Sequence, residues 1–146
     1  MIEIGIASEM DIEGIAALEA DVFPDAWSGR SIEETIAQKH VTVVAAREAG
    51  QVVGYIICYQ ILNEGEIARV AVDRNRRRAS IATRMMDYLL RAGTERGLTE
   101  YSLEVRESNE PAIAFYRSFA FAEEGRRKEF YRNPTEDGLI MWRRRG

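Results

Sequence analysis

With 146 residues the chain has the length of one domain, and we expect residues 1–146 to fold around a single core. Its apolar runs are far shorter than the roughly 20 residues of a membrane span, and no basic and apolar leader stands at its start, so we expect a cytoplasmic protein with no membrane partner. One cysteine and one histidine disfavour a metal site, and a net charge of −4 disfavours direct binding of nucleic acid.

The N-terminal residues predict one strand followed by two helices. Apolar and polar residues alternate over residues 2–7, as in a strand with one buried face. Ser8, with Asp11 three residues later, has the spacing of a helix N-terminus, and the apolar residues that follow share one helical face until about Phe23. A second, short helix is predicted from residue 28 or 31 to about residue 39.

Three β-rich runs come next, over residues 41–47, 52–62 and 66–73. They are joined by Ala49-Gly50 and by residues 63–65, whose composition favours tight turns. The three runs therefore predict an antiparallel meander.

The remaining residues predict two more helices and three more strands. Helical spacing covers residues 81–96, with Gly97 as the C-terminal stop, and residues 109–119 form a second helix. Strands are predicted over residues 101–106, 122–130 and 139–144, with a turn at Asn133-Pro134. The order β-α-α-β-β-β-α-β-α-β-β predicts an α/β (α+β) fold: a mixed, mostly antiparallel sheet with helices on both faces.

An arginine-rich stretch links the strand that ends near Val72 to the helix that begins at Ile81. Residues 74–80 read Arg-Asn-Arg-Arg-Arg-Ala-Ser. Small residues before a helix let backbone N–H groups approach phosphate oxygens, and arginines add charge-assisted hydrogen bonds. The stretch predicts a strongly anionic ligand.

Charge is segregated along the chain. Residues 1–66 hold 12 acidic against 3 basic residues, a net charge of −9, and residues 67–146 hold 17 basic against 12 acidic residues, a net charge of +5. This distribution favours an anionic ligand on the second half and a cationic substrate, such as an amine or a basic peptide, on the first.

Two side chains suited to proton transfer are predicted near one end of the sheet. Strand alternation over residues 101–106 places Glu104 on the face opposite the apolar residues. On the following helix, Tyr116 lies off the apolar stripe and is free to project toward the end of the sheet. Without the arginine-rich stretch, Glu104 is better explained as an exposed residue paired with an arginine, and Tyr116 as a half-buried aromatic residue.

Six motifs occur in the order and at the spacing of one family. The loop Arg77-Arg78-Ala79-Ser80-Ile81-Ala82 follows the pattern Gln/Arg-x-x-Gly-x-Gly/Ala, with serine at the first glycine. The other five are Phe23-Pro24-Asp25-Ala26-Trp27-Ser28, Val70-Ala71-Val72-Asp73, Leu103-Glu104-Val105-Arg106-Glu107-Ser108-Asn109, Ala112-Ile113-Ala114-Phe115-Tyr116 and Asp137-Gly138-Leu139-Ile140-Met141. With them the chain resembles the GCN5-related N-acetyltransferases, and within that superfamily it is most similar to the ribosomal-protein-alanine N-acetyltransferases.

The resemblance implies acetyl-CoA as the cosubstrate and assigns residues to it. The backbone at residues 70–72 would bind the pantetheine arm, residues 77–83 would surround the pyrophosphate, and Asn109 would contact the cofactor from the start of its helix. The implied cofactor-binding residues are Val70, Ala71, Val72, Arg77, Arg78, Ala79, Ser80, Ile81, Ala82, Thr83 and Asn109.

The resemblance also implies Glu104 as the base and Tyr116 as the acid of a direct transfer. The chemistry agrees, because an N-terminal amine with a pKa near 8 must lose a proton to attack, and a tyrosine with an unperturbed pKa of about 10 can protonate a departing thiolate. No covalent enzyme intermediate is needed. We therefore interpret Cys58, which lies in an apolar strand, as a small buried hydrophobic residue.

The acceptor implied by the resemblance is the N-terminal α-amine of a protein, in particular the N-terminal alanine of a ribosomal protein. Phe23, Trp27 and Tyr131 are the candidate substrate-binding residues. Two alternatives stay open: an enzyme that acetylates small amines, and a non-catalytic acyl-CoA-binding module. The oligomeric state is open too. Ser80, in place of glycine, either puts its hydroxyl on a phosphate or pushes the cofactor outward.

Overall fold

The computed structural model describes residues 1–76 and 80–144. Within them the strands are β1 (Ile2–Ile6), β2 (Val41–Glu48), β3 (Gln51–Ile61), β4 (Glu64–Val72), β5 (Glu100–Arg106), β6 (Ala122–Tyr131) and β7 (Glu136–Arg143). The helices are α1 (Ile12–Val22), α2 (Gly29–Ile36), α3 (Ile81–Glu95) and α4 (Glu110–Ser118), and short 3-10 turns cover Glu9–Asp11 and Arg74–Arg76.

The described strands form one sheet in the order β1-β2-β3-β4-β5-β7-β6. Neighbouring strands are antiparallel except β4 and β5, which are parallel. The predicted element order and the mixed, mostly antiparallel sheet are therefore confirmed. The antiparallel meander is β2-β3-β4.

Helices cover both faces of the sheet, as predicted, because the central strands are apolar on both sides. On β2, Val44 and Ala46 belong to one core cluster, whereas Val43 and Ala45 belong to the other. The first cluster is completed by residues of α3 and α4, namely Ile81, Met85, Met86, Leu89 and Ile113. The second is completed by residues of α1 and α2, namely Ile15, Leu18 and Ile32.

Side-chain caps explain where several helices begin. The hydroxyl of Ser28 accepts the backbone N–H of Ser31 at 3.1 Å before α2, and Oδ1 of Asn109 accepts the backbone N–H of Ala112 at 3.2 Å before α4. Gly97, with φ +85°, follows the end of α3. No helix in the described ranges is long and apolar enough to cross a membrane.

The turn predicted at residues 63–65 is misplaced. β4 begins at Glu64, and the β3–β4 turn is Leu62-Asn63. Gly65 instead pairs with Tyr101 inside the sheet, where a Cβ would lie 2.7 Å from the tyrosine ring. Gly65 thus does not form a turn; it lets the Tyr101 ring pack closely against β4. Similarly, β7 begins at residue 136, and not at 139.

Candidate active site

The candidate site lies where two parallel strands separate. β4 and β5 pair only through residues 64–67 and 100–103. Immediately afterwards β4 carries an extra residue, Ala68, because Ile67 and Arg69 face consecutive residues of β3. Such a bulge bends its strand. Among the described residues β5 then pairs only with β7, so a cleft opens, and Glu104 is the first β5 residue beyond the fork.

A cavity of about 620 Å³ opens at this fork. Its walls come from the segment after α1, from β4 and β5, and from the β6–β7 hairpin. Trp27 and Tyr131, two of the three predicted substrate-binding residues, line it. Phe23, the third, is outside the described lining. The centroid of its ring lies 4.2 Å from the guanidinium carbon of Arg69, which does line the cavity.

Glu104 points into this cavity, on the face that strand alternation predicts. Its Oε1 lies 3.1 Å from Nε of Arg127, and its side chain is 26% exposed. Its Oε2 is buried and makes no hydrogen bond within the part of the chain described. A buried carboxylate oxygen without a partner is costly, and such atoms are characteristic of sites that receive a proton or a polar ligand.

A buried carboxylate holds the cavity wall that carries Trp27. Glu19 of α1 is fully buried; its Oε2 accepts the backbone N–H of Trp27 at 2.9 Å and lies 3.0 Å from Nη2 of Arg69. Its Oε1 accepts the hydroxyl of Tyr55, and burial together with this bond raises the pKa of Tyr55. Because loss of either partner would leave a buried charge uncompensated, this network fixes the wall.

Neither Glu19 nor Arg69 is among the residues that the sequence predicts for the site. A signal for Glu19 exists, since it stands four residues after Ile15 on the buried face of α1. Arg69 carries a weaker signal, since strand alternation over residues 69–72 places it on the face of Ala71, which packs on the side of α1. Alternation counted from Ile67 places it on the opposite face, because the bulge at Ala68 depends on pairing with β3.

The opposite wall is the β6–β7 hairpin, where a second bulge directs two aromatic rings into the cavity. Three β6 residues face the single β7 residue Asp137. The Asp137 carboxylate accepts the backbone N–H of Glu129 at 2.9 Å and a hydrogen bond from Arg126 at 3.2 Å, and both contacts hold its pKa below the usual value. Phe130 and Tyr131, next along β6, both line the cavity.

Arg106 of β5 fixes the turn of that hairpin. Its Nη1 donates to the carbonyl of Pro134 at 2.9 Å and to Oε1 of Glu136 at 3.0 Å, and its Nη2 donates to the carbonyl of Arg132 at 2.6 Å. The bond from Arg106 is the main cause that lowers the pKa of Glu136. The guanidinium also lies 4.6 Å from the ring centroid of Tyr131, so one side chain holds both the turn and the ring.

Tyr116 belongs to the core, and not, as predicted, to a free side of α4. It is 9% exposed, lies outside the described cavity lining, and packs against Phe115 and Phe121 with ring centroids 5.5 and 5.9 Å apart. Phe121 lies just before β6, so the contact depends on how the chain returns after α4. Burial raises the pKa of Tyr116 to about 12, and the neighbouring Tyr131 adds to this shift.

The predicted pantetheine-binding residues lie on a free strand edge. Val70, Ala71 and Val72 pair with β3 on one side. On the other side, within the described residues, β5 has already diverged. A free strand edge offers backbone N–H and C=O groups to an extended ligand. The strand therefore fits the predicted contact with the cofactor arm.

The other predicted cofactor-binding residues lie at two helix starts. Ser80 is the N-cap of α3, whose first turn contains Ile81, Ala82 and Thr83, and Asn109 is the N-cap of α4. Backbone N–H groups at a helix start favour anions. Arg77, Arg78 and Ala79 lie outside the described residues.

Two arginines of the predicted anion-binding stretch are bound by the protein's own carboxylates. Nε of Arg74 lies 3.6 Å from Oδ2 of Asp21. Arg76 pairs with Glu48, and its Nη1 lies 3.3 Å from Oδ2 of Asp73. These pairs neutralise part of the charge that the sequence assigns to a ligand.

The thiol of Cys58 is buried in β3, and burial raises its pKa to about 12. A thiol with so high a pKa carries little thiolate near neutrality. This fits its interpretation as a packing residue. Over residues 1–76 and 80–144, His, Cys, Asp and Glu side chains form no group of three or more that could hold a metal ion.

Comparison with known proteins agrees with this geometry. The model of the acetyltransferase (GNAT) family matches residues 12–121, which is most of the chain. The chain therefore belongs to the GNAT family of acetyltransferases, and it is an acyltransferase. The resemblance deduced from its motifs is confirmed.

Individual proteins and a solved structure also resemble this chain. The N-alpha-acetyltransferase RimI of Mycobacterium tuberculosis is 32% identical over 151 residues, covering 99% of this chain and 94% of that protein. The ribosomal protein bS18-alanine N-acetyltransferase of Escherichia coli K12 is 29% identical over 119 residues, covering 82% and 77%. The crystal structure of the E. coli ribosomal-protein-S18-alanine N-acetyltransferase matches the fold with a TM-score of 0.91 at 24% identity, covering 100% of this chain and 96% of that one.

Ser80 adopts the left-handed conformation, with φ +58° and ψ +26°, and its hydroxyl makes no cap to α3. This conformation costs a residue with a side chain about 1–2 kcal/mol, of which the lower unfolded-state entropy of serine offsets part. We predict that Ser80→Gly raises the free energy of unfolding by about 0.5–1 kcal/mol, measured by urea denaturation. The exposed Ser80 hydroxyl has no hydrogen-bond partner within residues 1–76 and 80–144, so it can bind a phosphate, and the variant should bind acetyl-CoA about tenfold more weakly by calorimetry.

Ala49→Gly is the matched control, since Ala49 has φ +52° in the β2–β3 turn. It should give a similar gain in stability and leave acetyl-CoA affinity unchanged. Unchanged or tighter binding in Ser80→Gly would contradict a contact between the hydroxyl and the cofactor.

Proposed function

We propose that this acyltransferase transfers an acetyl group from acetyl-CoA to the N-terminal α-amine of a protein, with Glu104 as the base and Tyr116 as the acid. One observation carries the proposal. Glu104 stands at the fork between β4 and β5, inside a cavity of about 620 Å³, with one carboxylate oxygen buried and unpartnered within the described ranges.

The β4 side of the fork fits acetyl-CoA. The free edge at residues 70–72 suits an extended amide-containing arm, and the start of α3 suits a phosphate. When bound, acetyl-CoA supplies an activated acetyl thioester. An amide N–H at residues 70–72 is suited to polarise its carbonyl, since backbone donors stabilise charge that develops there.

Glu104 has the position of the base. An N-terminal amine with a pKa near 8 is mostly protonated at neutral pH, and it must lose a proton before its lone pair can attack. Oε2 of Glu104, which has no hydrogen-bond partner among the described residues, can accept that proton directly or through water. A lysine side chain, with a pKa near 10.4, is harder to deprotonate, which favours an α-amine as the acceptor.

Tyr116 is the proposed acid, and burial suits it to that role. With a pKa of about 12, the phenol stays protonated over the physiological range and is available to protonate a departing thiolate. Tyr131 lies close enough to Tyr116 to affect its pKa, and Tyr131 in turn lines the cavity.

The names of the relatives support the acceptor class. The M. tuberculosis relative is named an N-alpha-acetyltransferase, and the E. coli relative is named for the alanine of ribosomal protein bS18. We therefore propose the alanine N-terminus of a ribosomal protein as the specific acceptor.

An acceptor panel tests this proposal. We predict that, with acetyl-CoA, the protein acetylates a peptide with a free N-terminal alanine, and that mass spectrometry locates the acetyl group on the α-amine. The same peptide with a blocked N-terminus and an internal lysine should react poorly, because its amine is harder to deprotonate.

Other outcomes select the alternatives. Acetylation mainly on lysine, or turnover confined to small amines such as spermidine, would contradict the N-terminal acceptor. Binding of acetyl-CoA without turnover of any acceptor would indicate a non-catalytic acyl-CoA-binding module.

Removal of the base has a defined kinetic signature. Glu104→Gln keeps the size of the side chain but removes its basicity, so kcat should fall by about 10²–10⁴-fold while acetyl-CoA affinity is unchanged. Glu100→Gln is the matched control, because Glu100 lies on the same strand, outside the described cavity lining, and pairs with Arg144. Equal loss of kcat in both variants would indicate damage to β5, and not loss of a base.

The role of Tyr116 is tested by pH. Since its pKa is about 12, the phenol stays protonated between pH 6 and 10. We predict that Tyr116→Phe lowers kcat by about 10²-fold without changing the shape of the pH profile in that range. Tyr59→Phe, which removes a hydroxyl outside the described lining, should leave kcat unchanged. An alkaline limb near pH 10 that disappears in Tyr116→Phe would contradict the raised pKa, and wild-type kcat would make Tyr116 a packing residue only.

A further inference from the structure

The proposed base is already paired with a cation of the protein. Nε of Arg127 lies 3.1 Å from Oε1 of Glu104, and both residues line the cavity. We propose that the Arg127 guanidinium occupies, in the free protein, the place that the acceptor's ammonium takes, so that acceptor binding exchanges one cation for another on Glu104. The inference rests on the proposed function, because it takes Glu104 as the residue that receives the amine.

The sheet geometry explains how Arg127 reaches Glu104 from two strands away. β7 lies between β5 and β6, and its Gly138 pairs with Arg106 on one side and with Arg127 on the other. Paired residues project to the same face of a sheet, and Gly138 has no side chain of its own there, so that two aromatic rings of β6 and the Arg127 side chain can lie over it. Arg127 can therefore extend over β7 toward β5.

Of the three other arginines that line the cavity, Arg69 and Arg106 are unsuited to such an exchange. Arg69 is held by the fully buried Glu19. Arg106 is held by Glu136 and by two backbone carbonyls of the hairpin turn. Displacing either one would break a wall of the cavity.

Arg127 has looser contacts. Its side chain is 57% exposed, its one ion pair among the described residues is with Glu104, and its further contact is the ring of Phe130, 5.2 Å away. It also lies on β6, an edge strand of the described sheet. Solvent-exposed ion pairs contribute about 1.4- to 5-fold to an equilibrium constant, and this pair is open to solvent on the Arg127 side. An acceptor can therefore displace Arg127 at low cost, whereas a neutral molecule gains nothing by doing so.

This exchange would make Arg127 a specificity-determining residue. A cationic N-terminus that enters the cavity pairs with Oε1 of Glu104, which Arg127 releases, while Oε2 stays available to accept the proton. An N-terminus that is already acetylated is neutral and leaves the Arg127–Glu104 pair intact, so the product does not compete with the acceptor for Glu104.

Steady-state kinetics with an alanine-initiated peptide test the inference. In Arg127→Gln the competing cation is gone, so the acceptor KM should fall about two- to fivefold, with kcat and the KM for acetyl-CoA unchanged. Arg127→Lys keeps a cation and should keep an acceptor KM close to that of the wild type. Arg117→Gln is the control, because Arg117 is exposed on α4 and lies outside the described cavity lining.

Three outcomes would overturn the exchange. An unchanged acceptor KM in Arg127→Gln would show that Arg127 does not compete. A lower kcat at unchanged KM would make Arg127 a residue that positions Glu104. A higher KM would mean that Arg127 binds the acceptor itself.

A spectroscopic measurement needs no turnover. The Nε–H signal of Arg127 in a protein labelled with ¹⁵N-arginine is assigned by its loss in Arg127→Gln. Without acetyl-CoA, the alanine-initiated peptide should shift this signal, and the same peptide with an acetylated N-terminus should not. If the wild type acetylates the peptide but the signal does not move, the exchange is wrong and the proposed function stands. If no peptide is acetylated, the proposed function fails.

Discussion

The divergence of β4 from β5 is the constraint on which the site depends. The strands share four residue pairs and then separate at the bulge of Ala68. On the β4 side, the fork leaves the backbone edge at residues 70–72 free for an extended ligand. On the β5 side, it makes Glu104 the first residue that faces the cavity without β4 beside it. A fork of two parallel strands thus brings a free strand edge and a carboxylate together without any loop.

Three of the ion pairs around the cavity differ in burial in a way that divides their roles. The carboxylates of Glu19, Glu136 and Glu104 are 0%, 16% and 26% exposed, and their arginine partners are 15%, 27% and 57% exposed. Breaking a buried pair leaves a charge without solvent, whereas breaking an exposed pair costs little. The two more buried pairs are therefore suited to holding walls, and the most exposed pair can exchange its partner. Arginine–carboxylate pairs can therefore either hold a wall or exchange a partner, because solvent exposure differs from one part of the cavity to another.

Local patterns predict the order of elements and the face of Glu104, since both depend on periodicity and on residues close in sequence. Other features could not be predicted in this way, because each depends on a partner strand or on where the chain returns. They are the register at Gly65, the bulges at Ala68 and opposite Asp137, and the burial of Tyr116. The buried pair of Glu19 with Arg69 joins residues 50 positions apart, and no local pattern encodes it. The strands and helices that surround the site can thus be predicted from residues close in sequence, whereas its ion pairs arise from tertiary contacts.

The segregation of charge along the sequence suggests that each half binds a ligand of opposite charge, but part of this charge is paired within the protein. The arginines at positions 69, 74 and 76 belong to the basic half, yet each pairs with a carboxylate of the acidic half: Glu19, Asp21 and Glu48. Part of the segregation therefore describes how the two halves bind each other across the sheet. Net charge by segment cannot distinguish such internal pairs from charge that is left for a ligand. The proposed preference for an amine rests instead on one side chain, because Glu104 keeps a buried oxygen with no partner among the described residues.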